Sequence, residues 1–148
     1  MSEAGRSHSG RCRCGRCAFK YDPAAVRFVL HCHCADCRRT TGAAFATWVG
    51  LSTTGIRWQG PRPAVWRSAP TVAWGFCPDC GTRMTYDAAD DPGEVHILIG
   101  AFAAPAELVP ERHIHWADRL PWIEPNDGLP RHIAGSGSPR VDDAAAAE

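Results

Sequence analysis

The sequence predicts a mainly β domain of short antiparallel strands with little helix, and three observations lead to this fold class. Apolar runs rich in Val, Ile, Phe and Trp recur along the chain, which is typical of strands. Turn signals such as YDPAA, WQGPRP, DDPG and NDG separate them. Only residues 35–41 and 105–109 are expected to contain a helical turn. The expected strands are CAFKY (17–21), VRFVLHCHC (26–34), FATWVGL (45–51), AVWRS (64–68), VAWGFC (72–77) and EVHILIGAF (94–102).

The composition is that of one domain with no sign of nucleic-acid binding. The chain has 148 residues and a formal net charge of zero, and Lys20 is the single lysine among its sixteen basic residues. Nucleic-acid binders show a basic excess, which is missing here. No apolar run has the length of a membrane span, and the first residues do not resemble a secretory signal. We expect a flexible segment over 1–9, a folded domain over 10–134, a disordered tail over 135–148, and a cytoplasmic location.

Eight cysteines form three short clusters, which in a reducing compartment indicates metal ligands or catalytic thiols rather than disulfides. The clusters are CRCGRC (12–17), CHCADC (32–37) and CPDC (77–80). The last is a zinc-knuckle signal, because Cys77 and Cys80 bracket a tight turn and Gly81 follows. One such pair cannot complete a tetrahedral site. The second pair is either Cys12 with Cys14 or Cys14 with Cys17, and spacing alone leaves both open.

The middle cluster offers three thiols, Cys32, Cys34 and Cys37. In an extended chain alternate side chains share a face, so His31 and His33 are expected to point away from a metal held by these cysteines. A distant histidine could close the site; the candidates are His96, His113 and His115.

If no histidine closes it, this cluster is an open three-ligand site of the kind that catalyses reactions. Zinc accepts a further sulfur ligand, and a substrate thiol bound there would be held as a thiolate nucleophile. The adjacent Arg38 and Arg39 are candidates for binding the negative charge of such a substrate. No general base can be named, and His113 and His115 are candidates by residue type alone.

Three segments, GRCRCG, CHCADCRRTTGAAF and FCPDCGTRM, make the sequence resemble the glutathione-dependent formaldehyde-activating enzyme family. The downstream EVHILIGAF and PERHIHWADRLPWIE continue the likeness, which covers residues 10–132. The related centromere protein V branch shares this domain.

The resemblance implies a β-tent fold and two zinc ions per chain. It implies that the structural zinc is held by four residues: Cys12, Cys14, Cys77 and Cys80. It implies that Cys32, Cys34 and Cys37 hold the second, catalytic zinc. Cys17 falls where the family has an apolar residue and is expected to be a small buried side chain. The implied activity is that of a carbon–sulfur lyase joining formaldehyde to glutathione.

Two other functions are compatible with the same cysteines. The chain could be a non-catalytic binding or scaffold module with two structural zincs, since metal binding alone can drive folding of such domains. It could also be a redox switch, with Cys34 and Cys37 cycling between dithiol and disulfide. The βαβ pattern that accompanies most redox C-x-x-C motifs is absent.

Overall fold

A computed structural model describes residues 8–142 of the chain, and within them the fold is mainly β with short sheets and one α-helix. This confirms the predicted fold class. The strands are β1 (Ser9–Arg11), β2 (Ala18–Tyr21), β3 (Val26–Cys32), β4 (Ala46–Ser52), β5 (Ile56–Trp58), β6 (Ala64–Ala69), β7 (Val72–Phe76), β8 (Arg83–Ala88), β9 (Glu94–Leu98) and β10 (His113–Ile114). The helix, α1, is Ala35–Thr41.

The described chain forms two compact units. The first comprises residues 8–27 and 49–109. It contains a three-stranded sheet of order β1-β2-β5, in which Gly10 pairs with Phe19 and Phe19 with Trp58. It also contains an antiparallel meander in which β7 lies between β6 and β8, and β9 follows β8. Large buried side chains fill its core, among them Phe19, Leu51, Met84 and Ile97.

The second unit comprises residues 28–48 and 110–142. Its strands follow the order β10-β3-β4, and β10 runs parallel to β3 with His113 opposite His31. The helix α1 follows β3 after a two-residue connection. Its interior contains polar as well as apolar side chains. The polar His33 and His113 are at least as buried as the apolar Leu30 and Trp48.

Most of the expected strands are present, but the helical content was underestimated. Residues 35–41 form α1, and 105–109 contain a 3-10 turn at Pro105–Glu107. The prediction that no other segment turns helically was wrong, since 3-10 turns also occur at Pro23–Ala25, Thr53–Gly55, Ile99–Ala101 and Trp116–Asp118. These turns are three residues long, too short to show an apolar periodicity.

Residues 131–141, near the C-terminal end of the described chain, are joined by backbone hydrogen bonds. Ile133 donates its N–H to the carbonyl of Pro139, and Val141 donates to Arg131. Residues 1–7 and 143–148, which include most of the expected flexible start and the end of the expected tail, lie outside the described residues. The domain limits at 10 and 134 stay a prediction.

Candidate metal centres

The first cysteine cluster is built by two tight turns, each with a glycine in the left-handed region. Gly81, at φ +74°, donates its N–H to the carbonyl of Cys77 at 2.8 Å. Gly15, at φ +85°, donates to the carbonyl of Cys12 at 3.1 Å. Glycine adopts this conformation without the steric penalty of a Cβ atom. Each turn therefore brings a buried cysteine and an exposed one to the same place.

Four sulfur atoms converge at these turns, all within 4.8 Å of one another; they belong to Cys12, Cys14, Cys77 and Cys80. The Sγ of Cys14 lies 3.5 Å from that of Cys12 and 3.7 Å from that of Cys77. Zinc–sulfur bonds of about 2.3 Å in a tetrahedron separate sulfurs by about 3.8 Å. Among the two pairs that spacing left open, the structure thus brings Cys12 and Cys14 to the knuckle, and the donor set fits a closed zinc site.

Hydrogen bonds favour the thiolate form of two cysteines of this cluster, Cys80 and Cys12. The hydroxyl of Thr82 lies 3.1 Å from the Sγ of Cys80 and lowers the pKa of that thiol to about 5. The backbone N–H of Cys17 donates to the Sγ of Cys12 at 3.3 Å. Cys17 itself is fully buried, and burial raises the pKa of its thiol to about 11. It is outside the group of four and is placed as the small buried side chain that was expected.

The second cluster is positioned by the start of α1. Cys34 is the N-cap of this helix, in extended conformation, and its Sγ accepts the N–H of Cys37 at 3.3 Å. The helix ends at Gly42, which adopts φ +74° and donates its N–H to the carbonyl of Arg38. Helix geometry therefore places two cysteines three residues apart on one side, and Cys32 joins them from the end of β3.

The sulfurs of Cys32, Cys34 and Cys37 lie within 4.8 Å of one another. Cys32 and Cys37 are buried and Cys34 is half-buried, so Cys34 marks the more open side. The indole N–H of Trp48 donates to the Sγ of Cys37 at 3.4 Å. No fourth Cys, His, Asp or Glu of residues 8–142 belongs to this group.

The pKa values of the thiols in the second cluster indicate that the three cysteines ionise together only when a cation is bound. Hydrogen bonds from the thiols of Cys32 and Cys37 lower the pKa of Cys34 to about 2. The same contacts raise the pKa of Cys32 far above its usual range. Three neighbouring thiols thus stabilise one thiolate at the expense of the others, and a divalent cation is what allows all three to ionise together.

The two arginines proposed for substrate binding have different surroundings. Nη1 of Arg38 donates to the backbone carbonyls of His33 and, at 2.7 Å, Asp118. Arg39 is exposed. Arg38 therefore ties the connection between β3 and α1 to a later loop, whereas Arg39, two residues after Cys37 in the chain, is exposed to solvent.

The histidines near the cluster make hydrogen bonds to other groups. Nδ1 of His31 lies 2.8 Å from the hydroxyl of Thr47. His33 is fully buried, and its Nε2 lies 2.8 Å from Nδ1 of His113. Burial, followed by the neighbouring charges, lowers the pKa of His33 to about 4. Neither residue joins the three cysteines, in keeping with the expectation that they point away.

The three distant histidines considered as a fourth ligand do not join the cysteine group either. Nε2 of His96 lies 2.7 Å from a carboxylate oxygen of Glu94. His113 is bonded as above, and its Nε2 lies 2.8 Å from Oδ2 of Asp127. After the hydrogen bonds from Cys32 and Cys37, the imidazole of His115 makes a smaller electrostatic contribution that lowers the pKa of Cys34.

An aromatic and cationic layer in the second unit was missed by the sequence reasoning. The guanidinium groups of Arg119 and Arg131 lie 4.5 Å and 4.4 Å from the ring of Trp116. The same ring makes edge contacts with His33 and His113, at centroid distances of 5.1 Å and 5.2 Å. In the sequence these residues lie as far apart as His33 and Arg131, and no local motif predicts that they meet.

Comparison with known proteins identifies the family. The family model of the glutathione-dependent formaldehyde-activating enzyme matches residues 7–118, and the chain belongs to this family. No curated protein sequence matches it significantly. Among solved structures, the chain is similar to a protein of Rhodobacter sphaeroides at 18% sequence identity, with a TM-score of 0.51 over 83% of this chain and 98% of that one. That likeness concerns the fold alone.

A helix able to cross a membrane, in length and apolar character, is not found between residues 8 and 142.

Proposed function

We propose that the protein is a zinc-dependent carbon–sulfur lyase that joins a glutathione-type thiol to an aldehyde such as formaldehyde at the second cluster. One observation carries this proposal: Cys32, Cys34 and Cys37 converge without a fourth Cys, His, Asp or Glu from residues 8–142. A metal with three protein ligands keeps a position for substrate, whereas a closed four-ligand site does not. Membership of the formaldehyde-activating family supports the same substrate class.

The three thiols would hold the metal, which when bound supplies a soft Lewis acid that lowers the pKa of a substrate thiol. Trp48 donates its N–H to Cys37 and so stabilises a ligand thiolate. In the reaction the substrate sulfur adds to the carbonyl carbon. A carbon–sulfur bond forms, the carbonyl π bond breaks, and the thiol proton ends on the former carbonyl oxygen. The addition needs no oxidant or reductant.

The two arginines have different roles in compensating the negative charge of the substrate. The exposed Arg39 binds a carboxylate of the thiol substrate. Arg38 holds the backbone of His33 and Asp118 with one nitrogen, and its remaining guanidinium nitrogens contribute to the positive field at the cluster.

The first cluster, in this proposal, holds a structural zinc, which gives two zincs per chain. Its four sulfurs fit a closed tetrahedron, and it ties the turn at Cys12 to the turn at Cys77. All eight thiols are free. Since oxidation would remove the ligands, we propose that the protein works in a reducing compartment such as the cytoplasm.

Calorimetric titration of the zinc-loaded protein with glutathione tests the function. We expect saturable heat in the wild type and none in the Cys37→Ser variant. The matched control is Cys17→Ala, which removes a buried thiol that belongs to neither group of ligands and should leave the heat intact. The rate of formaldehyde-adduct formation, followed by NMR with labelled formaldehyde, should fall to the uncatalysed rate in the same variant.

Absence of glutathione heat in a wild type that retains both zincs would overturn the proposal. The scaffold-module function would then be favoured. Equal rates of adduct formation in the wild type and in Cys37→Ser would likewise exclude catalysis at this cluster.

A further inference from the structure

We propose that His31, His113 and Asp127 form a third metal site, which takes a divalent first-row transition metal such as zinc through two imidazole nitrogens and one carboxylate oxygen. One ligand atom from each of these residues lies within 4.8 Å of the others. No thiol belongs to this group. The proposal is independent of the thiol-handling function and would stand if that function failed.

The fold brings the two histidines together. His113 of β10 and His31 of β3 are register partners in a parallel pair, so their side chains project from the same face of the sheet. Their ring centroids are 4.9 Å apart. Because side chains alternate along a strand, Cys32 points to the opposite face from His31. The third site therefore does not compete with the cysteine cluster for space.

Each histidine has a hydrogen-bond partner on the ring nitrogen that would not bind the metal. Nδ1 of His31 lies 2.8 Å from the hydroxyl oxygen of Thr47, which leaves Nε2 as the nitrogen to offer. Nδ1 of His113 lies 2.8 Å from Nε2 of His33. A second N–H that is donated to a neighbouring acceptor fixes both the tautomer and the ring orientation of a metal-binding histidine.

The carboxylate is oriented in the same manner. Oδ1 of Asp127 accepts the N–H of Leu129 at 3.0 Å, and Oδ2 lies 2.8 Å from Nε2 of His113. Two ligand atoms that each lie about 2.0–2.1 Å from one zinc ion are about 3.3 Å from each other. Asp127 Oδ2 and His113 Nε2 therefore need to move only slightly further apart to admit the ion. The Asp127 side chain is 30% exposed and that of His113 1%. The site thus opens to solvent on the carboxylate side, where water can complete the coordination.

Metal binding would reverse one hydrogen bond. A carboxylate only accepts, so in the metal-free protein Nε2 of His113 carries the proton that faces Asp127, and Nδ1 accepts from His33. With metal on Nε2, the proton of His113 moves to Nδ1 and is donated to His33. The proton of His33 then resides on its own Nδ1, which has no partner within residues 8–142.

The test uses the full-length protein with zinc added in steps beyond two equivalents. Bound metal is counted after desalting, and nitrogen-15 NMR reports the histidine tautomers. We expect a third equivalent in the wild type, with a change of His113 from the Nε2–H to the Nδ1–H form. Asp127→Asn should lose the third equivalent and keep the first two. The control is Glu124→Gln, which neutralises an exposed carboxylate of the same unit that is outside the group.

Each remaining outcome overturns the proposal. A wild type that binds no third equivalent, with His113 unchanged, has no such site. A third equivalent that persists in Asp127→Asn lies elsewhere. Since Asp127 is partly exposed and its replacement is nearly isosteric, thermal unfolding of the metal-free variant close to that of the wild type will verify the fold.

Discussion

The hydrogen bond from Trp48 to Cys37 should control how tightly the second cluster holds zinc. Both side chains are buried, at 4% and 6% exposure, and the indole N–H lies 3.4 Å from the sulfur. Trp48→Phe keeps an aromatic ring at this position and removes the donor. The thiolate then loses a buried hydrogen bond, its proton affinity rises, and protons compete better with the metal.

The magnitude follows from the charge on the acceptor. A hydrogen bond to an ionised group contributes about 1.5–3 kcal/mol. Because about 1.4 kcal/mol corresponds to a tenfold change in binding, zinc affinity at this cluster should fall by roughly 10- to 100-fold. The same range is typical for loss of an outer contact to a metal ligand.

The assay is competition with a chromophoric chelator, which resolves the release of the two zincs by their different affinities. Trp48→Phe should lower the affinity of the second cluster and leave the four-cysteine site unchanged. Trp74→Phe is the matched control, because its indole N–H donates to the hydroxyl of Ser68 at 2.9 Å and not to a thiol. Equal zinc release from the two variants, with both folded, would refute the assigned role of the Trp48 N–H.

Three further predictions concern the first unit. Gly10→Ala should destabilise the protein by about 1–3 kcal/mol in urea unfolding, because a Cβ there would lie 2.2 Å from the ring of Phe19; unchanged stability would contradict this packing. Burial opposes ionisation of Glu94, but the imidazole of His96 and a neighbouring guanidinium hold the pKa of its carboxyl below the usual value. Its ionised form therefore stabilises the fold above the unfolded pKa, and Glu94→Gln should lower stability by about 1 kcal/mol near neutral pH, a difference that disappears as the pH falls through the folded pKa; a pH-independent difference would exclude this cause. Cys80→Ser should weaken zinc at the first cluster by more than the roughly 100-fold typical of an outer contact, and should lower the melting temperature of the zinc-loaded protein but not that of the chelator-treated one.

The sequence predicted those features that rest on local pattern. The run 35–41 was expected to turn helically and forms α1 with the same bounds. Apolar runs of five to nine residues became strands because β-branched and aromatic side chains suit a half-buried pleated surface. Four strands were missed. Three of them, β1, β5 and β10, have only two or three residues and so carry no alternation to detect. The fourth, β8, was missed although it is six residues long.

The assignment of cysteines shows where local pattern stops. Spacing could not choose between Cys12 with Cys14 and Cys14 with Cys17, because both spacings can form half of a zinc site. The choice depends on the turn in which Cys12 receives the N–H of Cys17 on its sulfur, and on burial of the Cys17 thiol. Both depend on tertiary structure. Family resemblance supplied what spacing could not.

The histidine contacts were equally beyond reach of the sequence alone. Alternation along β3 separated His31 and His33 from the cysteines, but it did not say what they would meet instead. That depends on β10 pairing in parallel with β3 across some eighty positions of chain, which places His113 opposite His31. A two-residue strand such as β10 has no recognisable sequence pattern. Its pairing with the distant strand β3 is therefore visible only in the three-dimensional structure.

In the proposed function the two cysteine clusters use the same ligand chemistry for different purposes, and the difference in their charge balance agrees with this. Four thiolates on a divalent cation leave two negative charges, and two of the four residues are exposed, so water can solvate the excess. Three thiolates leave one negative charge in a more buried setting, where a fourth, substrate thiolate would add another. Arg38 and Arg39, which follow Cys37 directly in the chain, carry fixed positive charges that could provide this compensation. A cluster that must accept an anionic ligand needs such compensation within its own unit, and a purely structural one does not.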